Sequence, residues 1–126
     1  MKYIHLAPDA VVILNHLCYS AGNSEPGRAA PTTTVAKQRI AYYAAGMMKT
    51  GAVAVFAEPK GSAGYILTGL FTTTKTLRQI FLDHASAPTN FTSSRVPGAT
   101  MTAKLTVRAL TTRPGVTAAD VRAATP

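Results

Sequence analysis

Ala10-Val11-Val12-Ile13-Leu14, entered through Pro8-Asp9, is the stretch on which the fold turns. The run is apolar without interruption and rich in β-branched residues. A strand with one wet face would alternate; a continuous run marks a strand covered on both faces, as in a parallel sheet. Asn15 and His16 end it, and Leu17-Cys18-Tyr19 follow. From residue 19 to 33 the chain holds Ser20, Gly22, Asn23, Ser24, Pro26, Gly27 and Pro31, a long polar loop of the kind that often carries function.

Beyond the loop, Ala36, Ile40, Tyr43, Ala44, Met47 and Met48 recur at helical spacing. They predict an amphipathic helix from Thr34 to Lys49, capped by Thr33 or Thr34 and stopped by Gly51. Ala52 to Ala57 is a second short strand of small and β-branched residues. Strand, helix, strand in that order is a right-handed crossover, so the two strands should be parallel. Helical patterns follow at Ala63 to Phe71 and Leu77 to His84, parted by Thr72-Thr73-Thr74. Later signals are weaker. Phe91 to Arg95 reads as a short strand, Pro97-Gly98 as a turn, and Met101 to Leu110 as an edge strand. Arg113 to Pro126 reads as a frayed helix or a tail.

The expected fold class is therefore α/β: a three-layer sandwich fragment with a short, mostly parallel sheet on a βαβ core. Residues 1–110 should form a single α/β domain, N-terminally incomplete, and residues 111–126 a small-residue-rich C-terminal tail. A strand as apolar as Ala10 to Leu14 calls for neighbours on both edges, yet one evident partner exists. One sheet edge is expected to be open beside Cys18, which invites self-association.

The 126 residues leave room for one domain, and 47% hydrophobic with 14% charged residues excludes a disordered chain. Much of the apolar fraction is alanine, so the core should be thin. Thirteen basic against five acidic residues give a formal charge of +8. Such a balance raises the prior for an anionic partner, but the basic residues stand singly and no nucleic-acid-binding motif accompanies them. No stretch approaches the roughly 18 apolar residues of a membrane span. The apolar run after Lys2 is too short for a signal peptide, and Leu17 does not suit a lipoprotein cleavage site. One cysteine excludes an internal disulfide and any CxxC motif. His5, His16 and His84 lack paired-ligand spacing, so neither a metal nor another cofactor is expected.

Ligands of open α/β sheets sit beyond the carboxyl ends of the strands, where Cys18 and Glu58 both fall. A thiol there can act as a nucleophile, and the amides of Ser20, Ala21 and Gly22 can face a developing oxyanion. His16, two residues before Cys18, would share its side of an extended strand and is the candidate base. Glu58 is either an acid at the site rim or a cap for the helix that begins near Ser62. The plainer alternative makes Cys18 a small buried hydrophobe and His16 a hydrogen-bonded structural residue.

The segment from Val12 to Glu25, with Leu17-Cys18-Tyr19-Ser20-Ala21-Gly22-Asn23-Ser24-Glu25 at its heart, resembles a motif of uncharacterised secreted bacterial proteins, many of them actinobacterial. The likeness continues through Tyr43 to Gly46, Ala54 to Glu58, Gly64 to Leu67 and Ser94 to Ala99. More distantly, an apolar strand ending in Leu17-Cys18 before small residues resembles the nucleophile strand of caspase- and gingipain-like cysteine peptidases. That resemblance implies a cysteine-hydrolase-like domain with Cys18 in the nucleophile position and an extracellular location. It also implies a peptide or protein substrate. Those enzymes take their base from a His-Gly pair on an earlier strand, and no His-Gly pair occurs in this chain. The expectation is a domain inactive in isolation, whose partner would be the missing N-terminal part of its own fold. Two rival readings are a non-catalytic structural or interaction module of a secreted or cell-surface protein, and a basic nucleic-acid-binding protein.

Overall fold

The structure, a computed structural model, describes residues 4–124. The first strand, β1 (Ala10–Asn15), leads through the long loop into helix α1 (Thr33–Met48) and strand β2 (Ala52–Glu58). Two short helices follow, α2 (Gly64–Thr72) and α3 (Leu77–Leu82). Then come strands β3 (Thr89–Phe91), β4 (Thr100–Lys104) and β5 (Arg108–Thr112), and a last helix α4 (Ala118–Ala123).

The βαβ unit forms as the periodicity requires. β1 and β2 run parallel, with Val12 beside Val55 and Leu14 beside Ala57. Thr32, one residue earlier than expected, caps α1 by accepting a hydrogen bond from the Val35 amide at 3.2 Å. Gly51 ends the turn after α1 at φ +108, a conformation that suits glycine. Of the helix face foreseen for packing, Ala36, Ile40 and Ala44 are buried, while Tyr43, Met47 and Met48 are half-buried at its margin.

The sheet is mixed rather than mostly parallel. Its order is β1-β2-β5-β4-β3, and every pair except β1–β2 is antiparallel. The reason lies in the connections: a parallel neighbour needs a crossover of a dozen residues or so, but β4 and β5 are joined by Leu105–Val107 alone. Met101 to Leu110 is thus a hairpin rather than one edge strand, and β5 inserts beside β2 in the sheet interior. The short strand foreseen over Phe91 to Arg95 lies at Thr89–Phe91 instead. Residues 111–124 belong to the fold. Thr111 and Thr112 complete β5, and Ala118 is fully buried where α4 meets α2. A boundary at residue 110 would cut a central strand.

Both faces of the sheet are covered. Val55, Ala57, Met101, Ala103 and Ala109 meet Ile40, Ala41 and Ala44 of α1. On the opposite face, Phe56 and Leu110 meet Ile66, Leu70, Leu77, Ile80 and Phe81 of α2 and α3. All seven residues of β2 are buried. Phe56, fully enclosed, is worth about 1.5–3 kcal/mol in burial alone. β1 corrects the expectation of a fully buried strand. It is the sheet's edge, and Ala10 to Leu14 are only half-buried. Its run is continuous because Val12 and Leu14 touch one cluster and Val11 and Ile13 the other, not because strands flank it on both sides.

Candidate functional site

Parallel pairing of β1 with β2 delivers the long loop to the carboxyl ends of both strands. The His16 amide donates to the Glu58 carbonyl at 2.9 Å, the last rung of that pairing. His16 then takes a left-handed φ of +57, and the chain leaves the strand. From Leu17 to Gly22 it coils through turns. The Ser20 amide donates to the Leu17 carbonyl at 3.3 Å, the Gly22 amide to the Tyr19 carbonyl at 2.9 Å, and the Ser20 hydroxyl to the Leu17 carbonyl at 2.6 Å.

Two elements clamp this coil from outside. Arg39 of α1 reaches into it, donating through one guanidinium nitrogen to the carbonyls of Gly22 (3.3 Å) and Asn23 (3.2 Å) and to the Ser24 hydroxyl (3.2 Å). Its guanidinium also lies 4.9 Å from the Tyr19 ring centroid, within cation–π range. Partial burial, and the Glu25 carboxylate that follows, push the Tyr19 hydroxyl above its ordinary pKa. From the other side, the Thr106 amide at the β4–β5 turn donates to the Ala21 carbonyl at 2.9 Å. Ser20, Ala21, Gly22 and Asn23 are consequently buried, although they belong to a loop.

Cys18 is half-buried and lines a groove of about 320 Å³. Its walls come from the loop (Asn23, Glu25, Arg28, Pro31), from Pro59 and Lys60 after β2, and from Thr106. Asn23 is 3% exposed, and its side-chain oxygen has no hydrogen-bond partner in the protein, while its amide nitrogen reaches the Ser24 carbonyl at 3.3 Å. A buried amide oxygen without a donor is costly unless something supplies one.

The remaining candidates fall elsewhere. His16 does not share a strand with Cys18; its left-handed turn breaks the alternation on which the same-side argument rested, and its side chain is exposed. The oxyanion reading is corrected at two of its three amides, because those of Ser20 and Gly22 are already engaged in turns. Glu58 turns away from the groove. Successive β2 side chains alternate, so Glu58 faces the α2–α3 side with Phe56. There it is fully buried, and the Arg108 Nε donates to its two carboxylate oxygens at 3.1 and 3.0 Å. Arg108 also donates to the His84 carbonyl at 3.2 Å. The Tyr65 ring stacks on His84 at 4.0 Å, and its buried hydroxyl lies beside Glu58 without a well-formed hydrogen bond.

Burial pushes the Glu58 carboxyl above its ordinary pKa, against the opposing pull of Arg108 and Tyr65. Burial and the Glu58 charge together push the Tyr65 hydroxyl well up. The group is a buried ion pair sealing the end of β2, neither a site rim nor a helix cap. The N-cap position of α2 is Ala63, without a side-chain bond.

Arg39, Asn23 and Thr106 form the site's frame; Arg39 and Thr106 did not stand out in the sequence, and Asn23 did so only as part of the loop motif. Arg39 is one scattered cation among thirteen. Its only signal is its position on α1, where its exposure is reduced by the loop. Several other cations are likewise structural: Arg122 donates to the Leu70 and Thr73 carbonyls at the end of α2, and Lys75 pairs with Asp83 at 2.7 Å. Among the described residues no three metal-ligating side chains come together, and no helix is long and apolar enough to cross a membrane. Compared with known proteins, the chain matches no family model, no curated protein and no solved structure.

Proposed function

We propose that the chain is a cysteine-hydrolase-like domain, related to the three-layer caspase–gingipain architecture, whose Cys18 groove holds an extended peptide without cleaving it in isolation. One observation carries this reading. Cys18 opens into a groove at the carboxyl ends of two parallel strands, where a nucleophile of such an enzyme belongs. Pro26, Pro31 and Pro59 give the groove apolar walls, and Arg28, Lys60 and Glu25 give it a charged rim. The reading of hydrolysis as absent rests on the positions of His16, exposed beyond the strand end, and of His84, stacked on Tyr65. A thiol without a base stays a weak nucleophile at neutral pH.

Alkylation of the folded protein by iodoacetamide tests the reading, followed by mass spectrometry with and without a mixed peptide pool. Cys18 should react in the native state, and peptides should slow the reaction several-fold without being cut. A Cys18 that reacts only after unfolding would sink the proposal. It would favour the rival reading of a non-catalytic module, to which the engaged amides of Ser20 and Gly22 already lend weight.

A further inference from the structure

The two edges of the sheet are built differently. β3 spans only three residues, Thr89–Phe91. Short length is a common means of keeping an edge from pairing. β1 spans six residues, Ala10–Asn15, with neither a charge nor a proline. Among the described residues no strand pairs with its outer side.

The direction of its backbone groups follows from the β2 pairing. The His16 amide points at β2, and in a strand the N–H and C=O of one residue share a side while successive residues alternate. Val12 and Leu14 therefore bond to β2. Val11, Ile13 and Asn15 turn their amides and carbonyls outward. Left-handed residues bracket the ladder, Asp9 at φ +56 and His16 at φ +57, so it cannot extend at either end. Exposed apolar side chains flank it as well: Ile4 before it is 51% exposed and Leu17 after it 39%.

We propose that this edge pairs with the same edge of a second copy, antiparallel, about a two-fold axis through Ile13. The occupant follows from the ladder's own symmetry. Placing Ile13 opposite Ile13 of the second copy sets Val11 opposite Asn15 of that copy, and the reverse. All three outward residues then form hydrogen-bonded pairs with no group left over, each exchanging two bonds. The same register keeps the faces matched, with Val12 opposite Leu14 of the second copy on the α1 side. The two sheets merge into one continuous sheet, and half-buried Val11, Val12, Ile13 and Leu14 lose their remaining exposure. Net charge opposes the union, since each copy carries +8. Salt should therefore promote it, the reverse of what salt does to a contact between opposite charges. The inference is independent of the groove's peptide reading.

Sedimentation of the full chain combined with amide hydrogen exchange tests it. The wild type should run at twice the chain's mass. Its dissociation constant should fall several-fold from about 0.01 M to about 0.1 M salt, as the Debye length shrinks from about 30 Å to about 10 Å. The Val11, Ile13 and Asn15 amides should gain protection as concentration rises. Asn15→Pro removes one outward donor at an exposed position where the strand tolerates proline. It should weaken the dimer tenfold or more with an unchanged circular dichroism spectrum, while Asn15→Ala stays dimeric. A wild type that remains monomeric at millimolar concentration overturns the proposal, and a monomer that captures an extended peptide on β1 counts with that result. A dimer whose Val11 and Ile13 amides still exchange freely overturns it equally, by placing the contact elsewhere.

Discussion

Replacing Gly22 by alanine strikes the contact on which the Cys18 loop depends. Gly22 has φ +88, and a Cβ there would lie 2.6 Å from the Ala36 carbonyl oxygen and 2.8 Å from the Ala36 Cα. Both atoms are backbone of α1, so neither can swing aside; loop and helix must part. The left-handed conformation costs an L residue about 1–2 kcal/mol. Forced overpacking adds about 1–3 kcal/mol. Together they give a destabilisation of about 2–5 kcal/mol, a large share of the roughly 5–15 kcal/mol that holds a domain folded. Gly27→Ala is the matched control, because Gly27 has φ +83 but nothing within 4 Å of the added carbon. It should lose only the conformational share, about 1–2 kcal/mol. Urea unfolding followed by circular dichroism separates the two: with a slope of about 2 kcal/mol/M, the Gly22→Ala midpoint should drop by about 1–2.5 M. Cys18 alkylation should quicken in the same variant as the loop lifts from Arg39. A Gly22→Ala loss no larger than that of Gly27→Ala would refute the close approach of loop and helix.

Arg108→Met should cost about 3–5 kcal/mol at neutral pH, because Glu58 is left as a buried charge without its partner. Glu58→Gln in the same background should recover much of that loss in thermal or urea unfolding. The Glu58 carboxyl carbon, followed by NMR, should titrate with a midpoint above 4.5. A pKa raised in the folded state makes the folded chain hold its proton more tightly, so Glu58 takes stability away as pH rises from its unfolded value through its folded one. Asp83 is lowered by its bonds to Lys75 and Gln79, and Asp120 by its bonds to Thr117. These two act oppositely: their contribution is present above about 3.8 and is lost as pH falls through their lower folded values.

The βαβ unit was legible because its signals are local: an apolar run, a 3.6-residue stripe, a threonine cap and Gly51. The β4–β5 hairpin was not, because its turn, Leu105-Thr106-Val107, contains no glycine, proline or asparagine. Thr106 takes φ +69 although β-branched, and the Ala21 carbonyl it binds lies far away in sequence. Met101 to Leu110 reads as one edge strand because it alternates only loosely, yet its Arg108 is drawn inward by Glu58. At the site, the polar loop after the first strand was legible from its composition, whereas the same-side placement of His16 and Cys18 was not. Strand alternation is a period-2 argument, and it fails at the first left-handed residue, a conformation that histidine adopts more readily than most. Asn23 was read only as a member of the loop and motif, because only tertiary structure shows that its side-chain oxygen is buried without a partner.

The position of β5 between β2 and β4 also bears on the order in which the chain can be assembled during synthesis. β2 emerges early with its apolar faces complete, but the strand that flanks its inner edge is made about fifty residues later, as is the guanidinium that neutralises Glu58. Until then a growing chain carries β2 with one edge unpaired and a carboxylate that must stay in water, so β2 cannot sink into a finished core. The β2–β5 pairing at the middle of the sheet can form only once residues 108–112 have been made. A nascent chain stalled before Arg108 should be cut readily by protease within Ala52–Glu58, whereas one stalled after α4 should resist.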